Sequence, residues 1–197
     1  MEIEAILLAA GESSRMGYPK PLLKIGEQTF VARLSDLMLS AARRLVIVLG
    51  AHAERVRAAI GNDGRITVVE NPDYARGQLS SLKTGLRQLG PDCRAVLVHL
   101  VDHPTVRPST FWAMLEAYYR SGKPIVIARC QGRRGHPVIF DRAAFAELER
   151  APEGEGARTV VNADPSRIEY LDVDDPGVTL DLDTPEDLTR AGLPPPP

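Results

Sequence analysis

Cysteine, lysine and long apolar runs are all scarce in this 197-residue sequence. Two cysteines, Cys93 and Cys130, are too few for the disulfide framework of a small secreted protein. No stretch approaches the roughly 20 apolar residues that a membrane-spanning helix needs. The first residues, Met1 to Glu4, are acidic where a signal peptide carries positive charge, and the apolar run after them is short. These absences predict a cytoplasmic protein without a membrane segment.

An excess of positive charge is also missing. The 24 basic and 26 acidic side chains give a formal net charge of -2, whereas domains that bind nucleic acid usually carry a basic excess on one face. We therefore expect no nucleic-acid partner. Only four of the basic residues are lysines, so a lysine within a glycine-bearing loop is less easily attributed to chance. Lys20 lies in such a loop.

Branched apolar runs alternate with segments of helical periodicity, which is typical of a mostly parallel sheet with helices on both faces. The apolar runs predict strands at residues 4–9, 45–49, 66–69, 95–101, 124–129, 138–140 and 168–171. The apolar positions of 30–41 and 111–118 recur every three or four residues, as on one face of a helix, and 78–89 can form a third helix.

The predicted elements form one domain, residues 1–192, of the three-layer α/β/α class with a mostly parallel, Rossmann-like sheet. A turn-rich stretch at 131–135 predicts that the strand after it leaves the parallel pattern, which gives the sheet a mixed edge. The proline-rich end, 193–197, cannot continue a helix, and we expect it to be a disordered tail.

A loop of small and cationic residues, 8–20, follows the first predicted strand, at the edge where open α/β sheets bind ligands. The Ala-Ala-Gly at 9–11 lets a flat ligand approach the backbone, and Arg15 and Lys20 supply two cations for phosphates. The loop fits neither a P-loop, since five residues rather than four separate its glycines, nor the three-glycine dinucleotide fingerprint. Its chemistry alone is equally compatible with a surface loop of solvated charges.

The same loop resembles the signature of the MobA-like nucleotidyltransferases, the family of the molybdenum cofactor cytidylyl- and guanylyltransferases. That signature is Leu-Ala-Ala-Gly, then Ser-x-Arg-Met-Gly, then Lys, and it is matched over residues 8–20. The resemblance extends over residues 4–190, with further motifs in the family's order, and implies the fold of the nucleotide-diphospho-sugar transferases. It also implies that the nucleotide-binding loop includes Leu8, Ala9, Ala10, Gly11, Arg15 and Lys20.

A second stretch, residues 71–82, follows the third predicted strand. From residue chemistry alone, Ser80 and Ser81 either cap the following helix or bond the edge of a base. In the family, an Asn-Pro, Gly and Ser-Ser turn surrounds the base and the ribose. The resemblance therefore adds Asn71, Gly77, Ser80 and Ser81 to the nucleotide site.

Two aspartates are candidate metal ligands. Asp102 ends the fourth predicted strand, where a carboxylate suits Mg²⁺ but equally fits a turn that bonds its own backbone. Asp183 and Asp181 precede a strong helix start and would point to one face of an extended segment. The resemblance assigns Asp102 and Asp183 as the ligands of Mg²⁺.

His99 and His103 lie close to Asp102 in the sequence, so a zinc site has to be considered. If the fourth strand reached His103, this residue and His99 would lie about 13 Å apart at about 3.3 Å per residue, too far to share a zinc ion. His103 also departs from the family pattern, in which a neutral residue stands between the aspartate and the proline.

Residues 132–140 match the family's Gly-His-Pro segment. By chemistry alone His136 either contacts an acceptor or occupies a turn, and Arg133 and Arg134 either attract an anion or are solvated. With the resemblance, we expect His103, Arg134 and His136 to contact the acceptor substrate.

The resemblance implies Mg-dependent nucleotidyl transfer, in which an acceptor phosphate attacks the α-phosphorus of a nucleoside triphosphate and pyrophosphate leaves. Arg15, Lys20 and Asp102 would be the catalytic residues. In the family, Ala-Ala-Gly accompanies cytosine and Gly-Gly accompanies guanine. The expected reaction is therefore transfer of CMP from CTP to the phosphate of molybdenum-molybdopterin, with a molybdenum hydroxylase as a candidate protein partner.

Two alternatives stay open at this point. Ala-Ala-Gly also occurs in cytidylyl and uridylyl transferases that act on sugar or alcohol phosphates. A non-catalytic carrier that delivers a molybdenum cofactor to a partner enzyme would bind similar ligands, although the presence of both metal carboxylates argues against it.

Overall fold

The computed structural model describes residues 2–197, which form a seven-stranded sheet between two layers of helices. Within these residues the strands are β1 (Ile3–Ala9), β2 (Lys24–Ile25), β3 (Gln28–Thr29), β4 (Leu45–Leu49), β5 (Ile66–Glu70), β6 (Ala95–Leu100), β7 (Ile125–Cys130), β8 (Arg133–Asp141) and β9 (Ile168–Asp172). The α-helices are α1 (Phe30–Ala41), α2 (Ala53–Arg57), α3 (Gln78–Leu86), α4 (Pro108–Ser121), α5 (Phe145–Arg150), α6 (Arg158–Asn162) and α7 (Pro185–Arg190). Short 3-10 turns lie at Lys20–Leu22, Tyr74–Arg76, Arg142–Ala144, Glu153–Glu155, Pro165–Arg167 and Pro176–Val178. None of the described helices is long and apolar enough to cross a membrane.

The main sheet has the strand order β5-β4-β1-β6-β8-β7-β9. Its strands are parallel except β8, which runs antiparallel to both of its neighbours. The predicted three-layer fold and mixed sheet are therefore confirmed, and the departure from the parallel pattern falls on the strand after the 131–132 turn. The small β2-β3 hairpin was not predicted.

Strands buried on both faces explain the continuous apolar runs of the sequence. In β1 the side chains of Ile3, Ala5 and Leu7 join one core cluster, which includes the apolar faces of α1 and α4. Ile6 and Leu8 point to the opposite face and pack with α3 and α6. Each face of the sheet is thus covered by its own helical layer.

The chain reverses its winding direction across the sheet between β1 and β6. From β1 it proceeds to β4 and β5 on one side, and then crosses to β6, which pairs with β1 on the other side. In open α/β sheets, such a switch point between neighbouring parallel strands leaves a crevice at their carboxyl ends. The segments after Ala9 and after Leu100 meet there.

Two glycines let backbones approach closely beside this crevice. A Cβ atom on Gly50 would lie 2.6 Å from the carbonyl oxygen of Ala10, so the turn after β4 rests directly on the loop after β1. A Cβ atom on Gly135 would lie 1.9 Å from the carbonyl oxygen of Val178, so β8 is in backbone contact with the 3-10 turn near residue 177. Both contacts fix loops that border the crevice.

The proline-rich end forms no helix or strand from residue 194 onward. Leu193 packs against the core cluster, and its N–H donates to the carbonyl oxygen of Leu188. Leu193 therefore contacts the domain, and the boundary at 192 and the disorder of the tail stay predictions.

Candidate active site

A cavity of about 310 Å³ opens at the carboxyl ends of β1 and β6. Ten residues predicted from the sequence line it: Leu8, Ala9, Ala10, Gly11, Arg15, Lys20, Gly77, Ser81, Asp102 and Asp183. Sequence reasoning missed several other lining residues: Ser13, Ser14, Pro21, Tyr74, Gln78, Leu100 and Val101.

Ser13 shapes the loop after β1 and brings Lys20 into the cavity. Its backbone has a φ of 57°, which is uncommon for a residue other than glycine. The carbonyl oxygen of Ser13 accepts hydrogen bonds from the N–H groups of Met16 (3.0 Å) and Gly17 (3.1 Å), and its hydroxyl oxygen accepts one from the N–H of Lys20 (3.0 Å). Ser13 opens the Ser-x-Arg-Met-Gly motif, which was the available signal for this role.

Lys20 joins the two candidate metal carboxylates. Its ammonium group is 3.2 Å from Asp102 Oδ2 and also donates to Asp183 Oδ1, while Arg15 Nη2 is 2.6 Å from Asp183 Oδ2. Burial acts to raise the pKa of Asp183, but Lys20 and Arg15 outweigh it and hold that pKa below its usual value. The carboxylate is therefore ionised at neutral pH, and in this structure the cations contact the carboxylates directly.

The residues of this cluster fit a hard divalent cation. Asp102 Oδ1 is buried and has no hydrogen-bond partner, and the Nε2 of His103 lies 3.9 Å away. Mg²⁺ prefers oxygen ligands and is usually held by one or two carboxylates together with substrate phosphates. Among residues 2–197, no group of three or more histidine, cysteine or acidic side chains is arranged to hold a metal. Asp102 and Asp183 would therefore hold the ion together with phosphate oxygens.

Asn71 and Ser80 lie behind the cavity wall. The Nδ2 of buried Asn71 donates to the hydroxyls of Ser80 (2.9 Å) and Ser81 (3.0 Å), and the Ser80 hydroxyl donates to the carbonyl oxygen of Gly77 (2.8 Å). Gly77 is the N-cap of α3, and no side chain caps this helix. Neither serine is a cap; Ser81 lines the cavity, whereas Asn71 and Ser80 hold the turn in place.

A second, larger cavity of about 930 Å³ adjoins the first. The two share a common wall formed by Leu8, Gly77, Gln78 and Leu100. The second cavity combines apolar side chains from β6, β7, β8 and α3 with four arginines: Arg76, Arg133, Arg134 and Arg158. All three residues predicted to contact the acceptor line it: His103, Arg134 and His136. Asp181 lines this cavity and Asp183 the other.

Three histidine rings cluster between Asp102 and the larger cavity. β6 ends at Leu100, so the condition under which His99 and His103 would lie about 13 Å apart along one strand is not met. Their ring centroids are 6.2 Å apart. The centroids of His103 and His136 are 5.6 Å apart. His103 Nδ1 donates to the carbonyl oxygen of Gly177 (3.3 Å).

Burial and mutual proximity keep two of these rings uncharged. Burial lowers the pKa of His99 well below its usual value, and the neighbouring His103 lowers it further. Burial, and after it the neighbouring His103, also lower the pKa of His136 to about 4. At neutral pH His99 and His136 therefore act as neutral hydrogen-bonding groups and not as cations.

A crevice at the switch point that contains paired carboxylates is typical of an α/β enzyme that binds its ligand at the carboxyl ends of its strands. The model of the MobA-like NTP transferase domain matches residues 5–168. The chain belongs to this family and is a nucleotidyltransferase.

Individual relatives match the chain along most of its length. The molybdenum cofactor cytidylyltransferase of Escherichia coli K12 is 26% identical over 96% of this chain and 95% of its own. A probable molybdenum cofactor guanylyltransferase of Bacillus cereus Q1 is 32% identical over 64% of this chain and 63% of its own. The crystal structure of Rv0371c from Mycobacterium tuberculosis H37Rv is 30% identical and has a TM-score of 0.82, covering 96% of both chains. A structure of Rv0371c in complex with manganese has a TM-score of 0.77 at 30% identity and covers 95% of this chain and 96% of its own.

Proposed function

We propose that this enzyme transfers CMP from CTP to the phosphate of a molybdopterin-type acceptor, with Mg²⁺ held by Asp102 and Asp183. The observation that carries the proposal is the pair of adjoining cavities, of which the smaller contains the carboxylates and Lys20. The nucleotide would occupy the smaller cavity and the acceptor the larger. The α-phosphate would then lie near the shared wall, within reach of the acceptor phosphate.

The choice of CTP rests on the loop after β1 and on the relatives. Ala9, Ala10 and Gly11 line the smaller cavity as the Ala-Ala-Gly that accompanies cytosine in the family. The relative named a cytidylyltransferase matches 96% of the chain, whereas the probable guanylyltransferase matches 64%. Both observations support cytosine over guanine.

The choice of acceptor rests on the size and lining of the second cavity. Ligand pockets usually enclose about 300–1,000 Å³, and a cavity of about 930 Å³ lies near the upper end of that range. Apolar walls suit a flat fused ring, and the arginines that line the cavity suit anionic groups. These features favour a pterin that carries a phosphate over a small sugar or alcohol phosphate.

The chain's own residues contribute mainly by positioning charge. Arg15 and Lys20 would turn from Asp183 to the triphosphate oxygens and stabilise the charge that develops on the leaving pyrophosphate. Mg²⁺, when bound, supplies a Lewis acid that neutralises phosphate charge. No general base is required, because the acceptor phosphate is already anionic at neutral pH. Catalysis by alignment and electrostatics is the usual pattern for transfer at phosphorus.

Two measurements test the proposal. Equilibrium titrations with CTP and with GTP, each with Mg²⁺, should give tighter binding of CTP; equal affinities would contradict the base assignment. Pyrophosphate release from CTP should then be measured with molybdenum-loaded molybdopterin and with sugar and alcohol phosphates. Release with the pterin alone supports the proposed acceptor, and release only with the small phosphates contradicts it.

A further inference from the structure

A buried aspartate outside both cavities joins the chain segments that carry the metal carboxylates. Asp175 is 3% exposed and precedes the 3-10 turn on the path from β9 to Asp183. Its Oδ2 accepts hydrogen bonds from the N–H of Arg107 (2.9 Å) and the hydroxyl of Thr110 (2.6 Å), and its Oδ1 accepts one from the N–H of Gly177 (3.1 Å). These bonds satisfy a carboxylate that burial would otherwise make costly.

Two of the three partners of Asp175, Arg107 and Thr110, belong to the start of α4. Arg107 is the N-cap of this helix, its side chain does not cap, and Pro108 and Thr110 occupy the first and third helical positions. In a capping box, a Glu or Gln at the third position bonds the N–H of the N-cap residue. Thr110 cannot do so, and Asp175 makes that bond from 68 residues away. A carboxylate at this end also complements the helix dipole.

The two segments also touch through their backbones. A Cβ atom on Gly177 would lie 2.7 Å from Thr105 C and from Val106 N, so no side chain fits there. Three more hydrogen bonds join the segments: Leu182 N to Asp102 O (2.9 Å), His103 Nδ1 to Gly177 O (3.3 Å) and Arg107 Nη1 to Asp174 O (2.7 Å). The segments that carry Asp102 and Asp183 therefore form one connected unit.

We infer that Asp175 is a positioning residue that sets the separation of Asp102 and Asp183; the inference rests on the metal-dependent transfer proposed above. Lys20 also joins the two carboxylates, but it must leave them to bind the triphosphate. Asp175 bonds only the surrounding chain, so it can hold the carboxylates at a constant separation while Lys20 moves. Asp175 itself contacts no substrate.

The test compares Asp175→Asn with Asp174→Asn, a matched change at the exposed neighbouring acid. Binding of Mn²⁺ in the presence of a non-hydrolysable CTP analogue is measured by electron paramagnetic resonance, together with thermal unfolding and steady-state kinetics. Asp175→Asn should weaken Mn²⁺ binding about 10- to 100-fold, the range seen when groups that orient metal ligands are removed. It should lower kcat with a KM for CTP within about twofold of wild type. Asp174→Asn should match wild type.

Thr110 provides a second, milder variant. Thr110→Val removes one donor to Asp175 and should also weaken Mn²⁺ binding. Thr110→Ser keeps the hydroxyl and should bind Mn²⁺ as wild type does. If Asp175→Asn does not fold, this pair decides the question on the same measurements.

Normal Mn²⁺ binding by Asp175→Asn, with only a lower unfolding temperature, would make Asp175 purely structural and overturn the inference. Absence of Mn²⁺ binding in the wild type would overturn it as well. A wild-type enzyme that binds Mn²⁺ but releases no pyrophosphate with a molybdopterin acceptor contradicts the proposed function alone, because the variants' metal binding still decides the role of Asp175.

Discussion

At the scale of single residues, Lys20 occupies the space between the two carboxylates that would bind the metal. Its ammonium group donates to both Asp102 and Asp183. A divalent cation bound without nucleotide would have to displace it. Triphosphate oxygens offer Lys20 other acceptors, so nucleotide and metal should bind more favourably together than the metal does alone.

Replacement of Lys20 should separate its contribution to turnover from its competition with the metal ion. Lys20→Met should lower turnover by about tenfold or more, because one preorganised cation at the triphosphate is lost. The same variant should bind Mn²⁺ alone more tightly than wild type, as measured by electron paramagnetic resonance without nucleotide. Lys24→Met, a change at an exposed lysine on β2, is the control. Wild-type turnover in Lys20→Met would remove Lys20 from the mechanism.

The buried histidines make stability depend on pH. The pKa values of His99 and His136 are lowered in the folded protein, so below the ordinary value of 6.5 the unfolded chain binds protons that the folded chain does not. Stability should therefore be fully present above pH 6.5 and fall as the pH drops towards 4, where His136 becomes protonated in the folded state. Urea unfolding at pH 7 and pH 5 measures the change. His136→Gln should show a smaller loss than wild type; an equal loss would exclude a contribution from His136.

At the scale of elements, hydrophobic pattern located every strand of the main sheet, but several strand ends differ from the predicted ones, most of them by one residue. β8 begins at Arg133 rather than near Val138. Its first residues are polar and extend beyond the core, so the apolar pattern did not reveal them. β6 ends at Leu100 although Val101 continues the apolar run, because the chain turns there and the N–H of His103 bonds the carbonyl oxygen of Leu100. An apolar pattern shows which residues are buried. Burial does not change at the start of β8 or at the end of β6, so the pattern could not locate these two strand ends.

The contact between β8 and the 3-10 turn gives a prediction about a single methyl group. Gly135→Ala would place a Cβ atom against the carbonyl oxygen of Val178, so one backbone must shift. We expect a loss of about 1–3 kcal/mol in the free energy of unfolding, as for other overpacked sites. Gly61→Ala is the control, since nothing lies within 4 Å of a Cβ atom there. Denaturant unfolding of both variants provides the measurement, and equal stability of the two would contradict the expected clash.

At the scale of the whole molecule, the loop after β1 and Asp102 could be placed together from the sequence because they follow the neighbouring parallel strands β1 and β6, whereas Asp183, Gly77 and Ser81 were assigned by the resemblance to the family. The carboxyl ends of such strands lie at one edge of a sheet, so residues from separate motifs converge. Side-chain pairing could not be predicted in the same way. Lys20 bonds Asp102 and Asp183 across 82 and 163 residues of sequence, and the role of Asp175 depends on a helix that lacks its own cap.

The near-neutral total charge conceals a local excess around the larger cavity. Arg133 and Arg134 are exposed and line this cavity, and Arg134→Gln should raise the KM for an anionic acceptor while leaving the KM for CTP unchanged. Because exposed charges are screened by salt, the difference from wild type should shrink as ionic strength rises. Steady-state kinetics at two salt concentrations test this, with Arg120→Gln on α4 as a control. An unchanged acceptor KM at low salt would exclude Arg134 from acceptor binding.

The wall shared by the two cavities has a consequence for the end of the reaction cycle. Leu8, Gly77, Gln78 and Leu100 would separate the two proposed substrates, but the joined product would have to extend across both cavities. The dinucleotide product would thus retain contacts that each substrate makes separately. It should compete with CTP and with the acceptor alike in steady-state inhibition experiments, and its departure should be slower than that of pyrophosphate. Competition with one substrate only would mean that the product leaves one cavity as soon as it forms.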